Sequence, residues 1–376
     1  MVQVRDFLYL NGKVFVRIFM KILKLKKMKL KIYTLVLLSV FLTGLFSCSD
    51  NGTRMHKNIT GKAGEMIIVI SEKAWNSEPG KVMRETLAQP QLALPQDEPI
   101  FDLIDIPHAA FKTIFKSTRN IIQTSISPDV EKEGVTFTDD VWAYPQATVQ
   151  IQAKTPDKFV ALFNENKDKI MSYFISAEKE RLTMNYTKYY EKGVYNVLDN
   201  EFGVTMKVPP GFQIAKEAKD FIWYKYETPE ISQGIIFYSY PYVSDSAFSD
   251  NYQIRIRDSL LKAHVPGPTD GSYMSTQKRI DPVTNVFKHN GNYATEMRGL
   301  WRVENDFMGG PYVSIAELDA EKQRVLVAFG YVYAPSKDKR NFVRQVEAMI
   351  YSLKLNNQKE NDELNKQTDL EVTIEG

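Results

Sequence analysis

The sequence predicts an α+β protein: two tandem units of mostly antiparallel sheet with packed helices, behind a leader that stands apart from the folded mass. Three observations predict it. Strand-like segments carry either continuous apolar runs or period-two alternation. Helix-like segments with capped starts lie between them. Aromatic content is high at 12%, with 20 Tyr and 21 Phe in 376 residues, and such side chains suit a pleated, half-buried surface. With 43% hydrophobic and 25% charged residues, the chain has apolar mass for one or two cores.

The first unit opens with Glu65-Met66-Ile67-Ile68-Val69-Ile70, a continuous apolar run fit for a buried strand. Residues 79–89 read as a helix, and a loop with Pro95 and Pro99 follows. A second short helix is expected over 107–116, with Ala110, Phe111, Ile114 and Phe115 on one face. Residues 120–127 and 147–153 read as strands, the latter alternating Val149, Ile151 and Ala153 with Gln150 and Gln152. Thr155-Pro156-Asp157 is a helix start: a Thr cap, Pro in the first position and an acid in the first turn. Phe159, Val160, Phe163, Ile170, Tyr173 and Phe174 carry that helix on through Met184.

The texture changes near 194–203, and the chain becomes rich in strands. Val204, Met206 and Val208 alternate until Pro209-Pro210-Gly211 breaks the run. Residues 221–226 and 234–240 are the next strands, 250–263 a helix, 293–303 and 312–318 a hairpin, and 324–333 a further strand. A last helix is expected from Ser336, with Phe342, Val343, Val346, Met349, Ile350 and Leu353 on one face. The units are thus 63–200 and 201–354, with no repeat between them. A tether over 48–62 precedes them, and a polar tail over 355–376, expected to be disordered, follows.

The amino terminus predicts an anchor. Lys24 to Lys31 is a basic cluster, 34–42 is apolar, and Leu45-Phe46-Ser47-Cys48 has an apolar residue three before the cysteine and a small one just before it. Basic, apolar and small regions in that order make a secretory signal. The apolar run over 32–46 falls short of the roughly 20 residues a membrane span requires. Residues 1–47 are therefore an upstream extension and signal peptide, with Met28 or Met20 as alternative starts, and Cys48 is the site of lipidation. Palmitate-like acyl chains contribute about 0.8 kcal/mol per buried methylene, so two or more hold a protein durably. Cys48 is the single cysteine, which leaves no disulfide within the chain and no thiolate metal site. Ser49 after it, by analogy with the enterobacterial sorting rule, allows delivery to the outer membrane of the cell envelope. Asp50 is a weak form of the acidic run of surface lipoproteins, so the periplasmic and surface faces both stay open.

Charge agrees with a discarded leader. The whole chain carries +2, from 48 basic and 46 acidic residues. Residues 1–47 hold nine of the basic residues and one acid, which leaves 39 and 45, a balance near −6. Such a chain lacks the basic excess of a nucleic-acid partner.

Several phrases occur together: Leu94-Pro95-Gln96-Asp97-Glu98-Pro99-Ile100-Phe101, Arg119-Asn120-Ile121-Ile122, Val265-Pro266-Gly267-Pro268, Gly271-Ser272-Tyr273-Met274, Gly299-Leu300-Trp301 with Met308-Gly309-Gly310-Pro311, and Gly330-Tyr331-Val332-Tyr333-Ala334-Pro335. In these the chain resembles domain-of-unknown-function family 4837 (DUF4837), lipoproteins typical of Bacteroidota, over about residues 60–354. The resemblance implies envelope lipoprotein status. It implies no activity and no catalytic residues.

The residues point to binding more than to catalysis. His56, His108, His264 and His289 do not share metal-ligand spacing, and no metal or cofactor is expected. There is no G-x-S-x-G elbow, phosphate-cradling Gly loop or S-x-x-K motif. Asp97/Glu98 and Asp102/Asp105 are acid pairs whose distance in space would decide a glycosidase role. The loop 304–311 sets Phe307 and Met308 in a Gly-rich connection, where they either tuck onto the sheet or form an exposed contact. The Gly/Pro-rich loop 265–274 ends in Tyr273 and Met274, and Trp301 lies just before the first loop. Arg119 is either a buried polar bracket or a contact for an anionic ligand. The reading is a membrane-anchored, non-enzymatic binding or assembly module for an envelope protein or glycan. The alternatives are a hydrolase acting on envelope glycan or peptide, and a purely structural envelope component.

Overall fold

The computed structural model describes residues 57–356, so the expectations for residues 1–47, for Cys48, Ser49, Asp50 and His56, and for the tail beyond 356 lie outside the described residues. The fold is α+β. Its first sheet contains β1 (Glu65–Val69), β2 (Asp102–Ile106), β3 (Asn120–Ile126), β4 (Gly134–Asp139) and β5 (Ala147–Ala153), in the order β2-β1-β3-β5-β4. The pairings of β1 with β2, β1 with β3, and β3 with β5 are parallel; only β4 runs antiparallel to β5. Mostly antiparallel pairing therefore does not hold for this sheet. The physical reason was present in 65–70, since a strand covered on both faces reads as an unbroken apolar run, the mark of parallel sheets. Helices α1 (Glu78–Leu87) and α2 (Pro156–Lys188) cover one face with Met83, Leu87, Phe159, Phe163 and Phe174. Phe111, Phe115 and Trp142 cover the other, over Ile67, Val69, Ile106 and Ile121.

That second covering explains why 107–116 is not one helix. A 3-10 turn at His108–Ala110 and a single helical turn at Thr113–Lys116 are separated by an extended Lys112. The break lets both Phe111 and Phe115 reach the sheet while Ile114 is left exposed.

The second sheet is antiparallel throughout its eight strands. In chain order these are β6 (Gln213–Ala218), β7 (Phe221–Glu227), β8 (Ser232–Pro241), β9 (Tyr273–Thr276), β10 (Val283–His289), β11 (Asn292–Glu304), β12 (Gly309–Asp319) and β13 (Arg324–Tyr333). Spatially they run β9-β11-β12-β13-β8-β7-β6, with β10 pairing the far stretch of β11. Alternation in β13 sends Leu326, Ala328 and Val332 to one face and Val327, Phe329 and Tyr331 to the other. Helix α4 (Arg340–Ile350) lays Val343, Val346, Met349 and Ile350 on the first face, and α3 (Asp250–His264) lays Leu261 on the second. The α4 start falls four residues later than Ser336. Ser336 itself has φ of +60°, and Glu98, from the first half of the chain, accepts the backbone N–H groups of Lys339 and Arg340 that open the helix. Leu355 is buried, in a short pair of Lys354–Leu355 with Val204–Thr205.

Candidate functional site

Helix α3 covers only part of its face. It ends at His264, whose ring rests 4.7 Å from that of Phe221, and Pro266 then bridges Tyr273 at the start of β9. The uncovered end of the face is an open cleft of about 290 Å³. Its floor and walls are Trp223, Trp301, Tyr331 and Tyr333, with Met274 and Met308 at one side and Lys225, Glu227 and Ser232 at the rim. These come from β7, β8, β11, β13, the start of β9 and the two loops 265–274 and 304–311. The loops are joined to each other: Asn305 Nδ2 donates to the Gly271 carbonyl at 3.4 Å, and Thr269 Oγ1 donates to Asp306 Oδ2 at 3.3 Å.

The aromatic floor needs small cross-strand partners. Tyr331 stands opposite Gly234, and a Cβ at Gly234 would lie 2.2 Å from the tyrosine ring. Trp301 stands opposite Gly310, where a Cβ would lie 2.1 Å from the Val332 carbonyl oxygen. The rings lie down across these glycines. Trp301 meets Tyr331 edge-on at 5.4 Å and Tyr333 at 6.3 Å.

Both indole N–H groups of the floor are spent internally. Trp223 Nε1 donates to the Tyr331 hydroxyl at 3.0 Å, and Trp301 Nε1 donates to the Val332 carbonyl at 3.2 Å. Burial pushes the Tyr331 phenol up, so it stays protonated at neutral pH. At the rim, Lys225 and Glu227 pair at 2.8 Å, and the ammonium of Lys225 stands 5.4 Å from the Trp223 ring. The cleft therefore presents π-faces and apolar atoms over a locally neutral edge.

Of the residues singled out from sequence, Trp301, Met274 and Met308 meet in this cleft. Phe307 stands beside Met308 with its side chain fully exposed, so the two readings of the loop divide: Met308 turns in and Phe307 turns out. Tyr273 precedes Met274 and lies under the Lys262 ammonium at 5.0 Å, outside the cleft lining. Arg119 is remote, in the first half of the chain. It joins Glu178 at 3.1 Å, within a buried set where Asn120 and Arg181 also hold Glu178. Trp223, Tyr331, Tyr333 and Ser232 were not singled out from sequence as site residues. Their one signal was the alternation Trp223-Lys225-Glu227 and Tyr331-Tyr333, which ordinary strands share.

The acid pairs do not converge on a cleft. Glu98 is buried at the α4 start, Asp102 pairs with Arg340 at 2.8 Å, and Asp97 and Asp105 are exposed. His108 Nε2 meets the Thr124 carbonyl at 2.6 Å, and buried His289 meets Glu317 at 2.7 Å. Among the described residues, no three His, Cys, Asp or Glu side chains are grouped to hold a metal ion.

No curated protein matches the chain. Among solved structures, the Saccharomyces cerevisiae Ran-binding protein Mog1p is similar at 12% identity, with 41% of this chain and 90% of that one covered, at a TM-score of 0.28. LpqN, described as involved in cell envelope biogenesis of Mycobacterium tuberculosis, is similar at 12% identity over 39% of this chain and 79% of that one, at a TM-score of 0.25. Two families divide the sequence. Residues 59–187, which hold Glu98 and Arg119, match a domain of unknown function, DUF8532, so the likeness read over 60–354 is confined to the second half. Residues 191–352, with the whole aromatic cleft, match another domain of unknown function, the DUF4837 family.

Proposed function

We propose that the protein is a non-enzymatic binding module, held to the cell envelope through lipidated Cys48, whose second sheet receives a segment of a partner protein in the aromatic cleft. The observation that carries this is the convergence of Trp223, Trp301, Tyr331 and Tyr333 on an open end of the sheet. With both indole N–H groups already bonded, the cleft offers stacking and apolar contact. That favours a proline or aliphatic side chain of an extended peptide over a sugar, whose hydroxyls would find few partners there. Phe307 supplies an exposed anchor at the edge.

One feature supports the envelope reading: the basic, apolar and small-residue regions precede Cys48 in order. Outer-membrane delivery rests on Ser49 and stays part of this proposal.

The test is in-cell crosslinking of the anchored protein followed by affinity capture. The double variant Phe307→Ala with Met308→Ala is expected to fold and to lose one crosslinked partner, and Trp223→Ala to lose the same one. An unchanged partner profile in both variants rules out the cleft. Cys48→Ala is expected to leave the membrane fraction and to lack the acyl mass; continued partitioning with membranes overturns the anchor.

A further inference from the structure

Strands β1, β3 and β5 run parallel, so the segments that lead into them, 57–64, 112–119 and 140–146, meet at one end of the first sheet. Contacts between the segments join them. Lys57–Asn58 pairs with Ala143–Tyr144, Ile59 N donates to the Tyr144 carbonyl at 3.3 Å, and Thr60 N donates to the Ser117 carbonyl at 2.7 Å. This end carries apolar side chains that the fold leaves uncovered. Ile114 is 75% exposed and Tyr144 51%, and Val141 and, on α2, Met184 are exposed as well. The Tyr144 hydroxyl stands 3.7 Å from Met184 Sδ. The same three segments hold five basic residues, Lys57, Lys62, Lys112, Lys116 and Arg119, against one acid, Asp140. Beyond residue 47 the chain has 39 basic and 45 acidic residues, so this end opposes the overall sign. Glu178 holds Arg119 at 3.1 Å, and the Gln146 N–H holds Asp140 at 2.8 Å, whereas Lys57, Lys62 and Lys112 are exposed.

Single exposed apolar residues are ordinary, but four gathered with lysines at one end of a sheet mark a contact surface. The length of the tether says what that surface can reach. Lys57 is nine residues beyond Cys48, so at most about 30 Å of extended chain joins this end to that sulfur. On the reading that Cys48 is lipidated, we propose that this end of the first sheet lies against the bilayer, on a surface bearing anionic headgroups. Ile114, Val141 and Met184 enter the interfacial layer, and Tyr144 sits at headgroup level, apolar ring inward and hydroxyl toward water. Lys57, Lys62 and Lys112 meet the headgroup phosphates. A tethered surface needs little affinity of its own, because the anchor holds it at high local concentration. The aromatic cleft belongs to the second sheet, which supplies none of these residues.

The test is hydrogen exchange of the mature lipidated protein on mixed vesicles of phosphatidylethanolamine and phosphatidylglycerol, against the same protein in nonionic detergent. Amides of 112–119 and 140–146 are expected to exchange about fivefold or more slowly on the vesicles. Ile114→Glu with Met184→Glu, both at exposed positions, should abolish that slowing while the protein still floats with vesicles and carries its acyl mass. Lys57→Glu with Lys112→Glu should weaken it likewise, which keeps the surface testable if the first pair misfolds. Flotation and acyl mass with unchanged exchange overturn this surface and leave the anchor standing. Protein that lacks acyl mass and fails to float overturns the anchor, and this surface with it. Slowing that is equal in detergent and grows with protein concentration means that a second copy covers the face, which also overturns it. So does a parent-like slowing in both folded double variants.

Discussion

Gly234 lies directly opposite Tyr331 in the register of β8 and β13, and the tyrosine ring occupies the space a Cβ at Gly234 would take, 2.2 Å away. The glycine is the reason the ring can lie flat, with its hydroxyl accepting the Trp223 N–H. Gly234→Ala forces the ring or the strand to move, at a cost of about 2–4 kcal/mol. Gly271→Ala is the control: it has open space around it but φ of +73°, so its cost is confined to backbone strain, about 1 kcal/mol. Urea unfolding of both variants checks the order. Equal costs would mean that Tyr331 yields easily and that the cleft floor is soft.

Phe307 in the loop and Trp301 on β11 should separate cleanly. Phe307→Ala removes a side chain that is fully exposed, so stability should change by no more than about 0.5 kcal/mol. Trp301→Ala empties a site only 4% exposed and frees the Val332 carbonyl, which costs about 3–5 kcal/mol. Chemical denaturation measures both. A large loss in Phe307→Ala would show that the ring packs against the protein in solution, and would remove it as an anchor for a partner.

Glu98 joins the two family segments through one helix end. Its carboxylate accepts from Lys339 N at 2.7 Å and Arg340 N at 2.7 Å, where the α4 backbone carries partial positive charge. Glu98→Ala leaves those buried N–H groups unpaired and should cost about 2–4 kcal/mol. Glu98→Gln keeps an acceptor and should cost less. Because Arg340 also reaches Asp102 and the Pro99 carbonyl, loss of the cap should loosen both halves together. Hydrogen exchange of α4 and of 98–106 reads this, and protection lost in α4 alone would refute the coupling.

Long elements were legible in the sequence because their own pattern sufficed. The Thr155-Pro156 start and its apolar stripe give α2, and the alternation in 324–333 gives β13 with both faces. What failed depended on distant partners. The α4 start is set by Glu98, more than two hundred residues away, so Ser336 looked like a cap that the fold does not use. Parallel pairing in the first sheet follows from covering on both faces, which one strand shows only as an apolar run. The cleft was half visible: Gly- and Pro-rich loops announced themselves, but Trp223 and Tyr331 meet only when β7, β8 and β13 are aligned, and nothing local marks that.

Acid should expose the balance around Glu296. Its carboxylate meets Arg298 Nε at 2.7 Å and Nη2 at 2.9 Å and also accepts from the Tyr351 hydroxyl, while Lys179 stands nearby and Glu347 shares Arg298. Burial raises its pKa, but the Arg298 charge, its hydrogen bonds and Lys179 outweigh this and hold it below the ordinary value of 4.5. The unfolded chain then takes up its proton at higher pH than the folded one. Stability from this group is therefore complete above about pH 5 and lost as the pH falls below its ordinary value. Glu296→Gln should cost about 1–3 kcal/mol at neutral pH, because a charge-assisted pair becomes a neutral one. The gap between parent and variant should narrow on acidification from about pH 5 to about pH 3, read by urea unfolding at each pH. A gap that stays constant or widens in acid would mean that Arg298 is satisfied by Glu347 alone, and that Glu296 is held in place by Tyr351 rather than by charge.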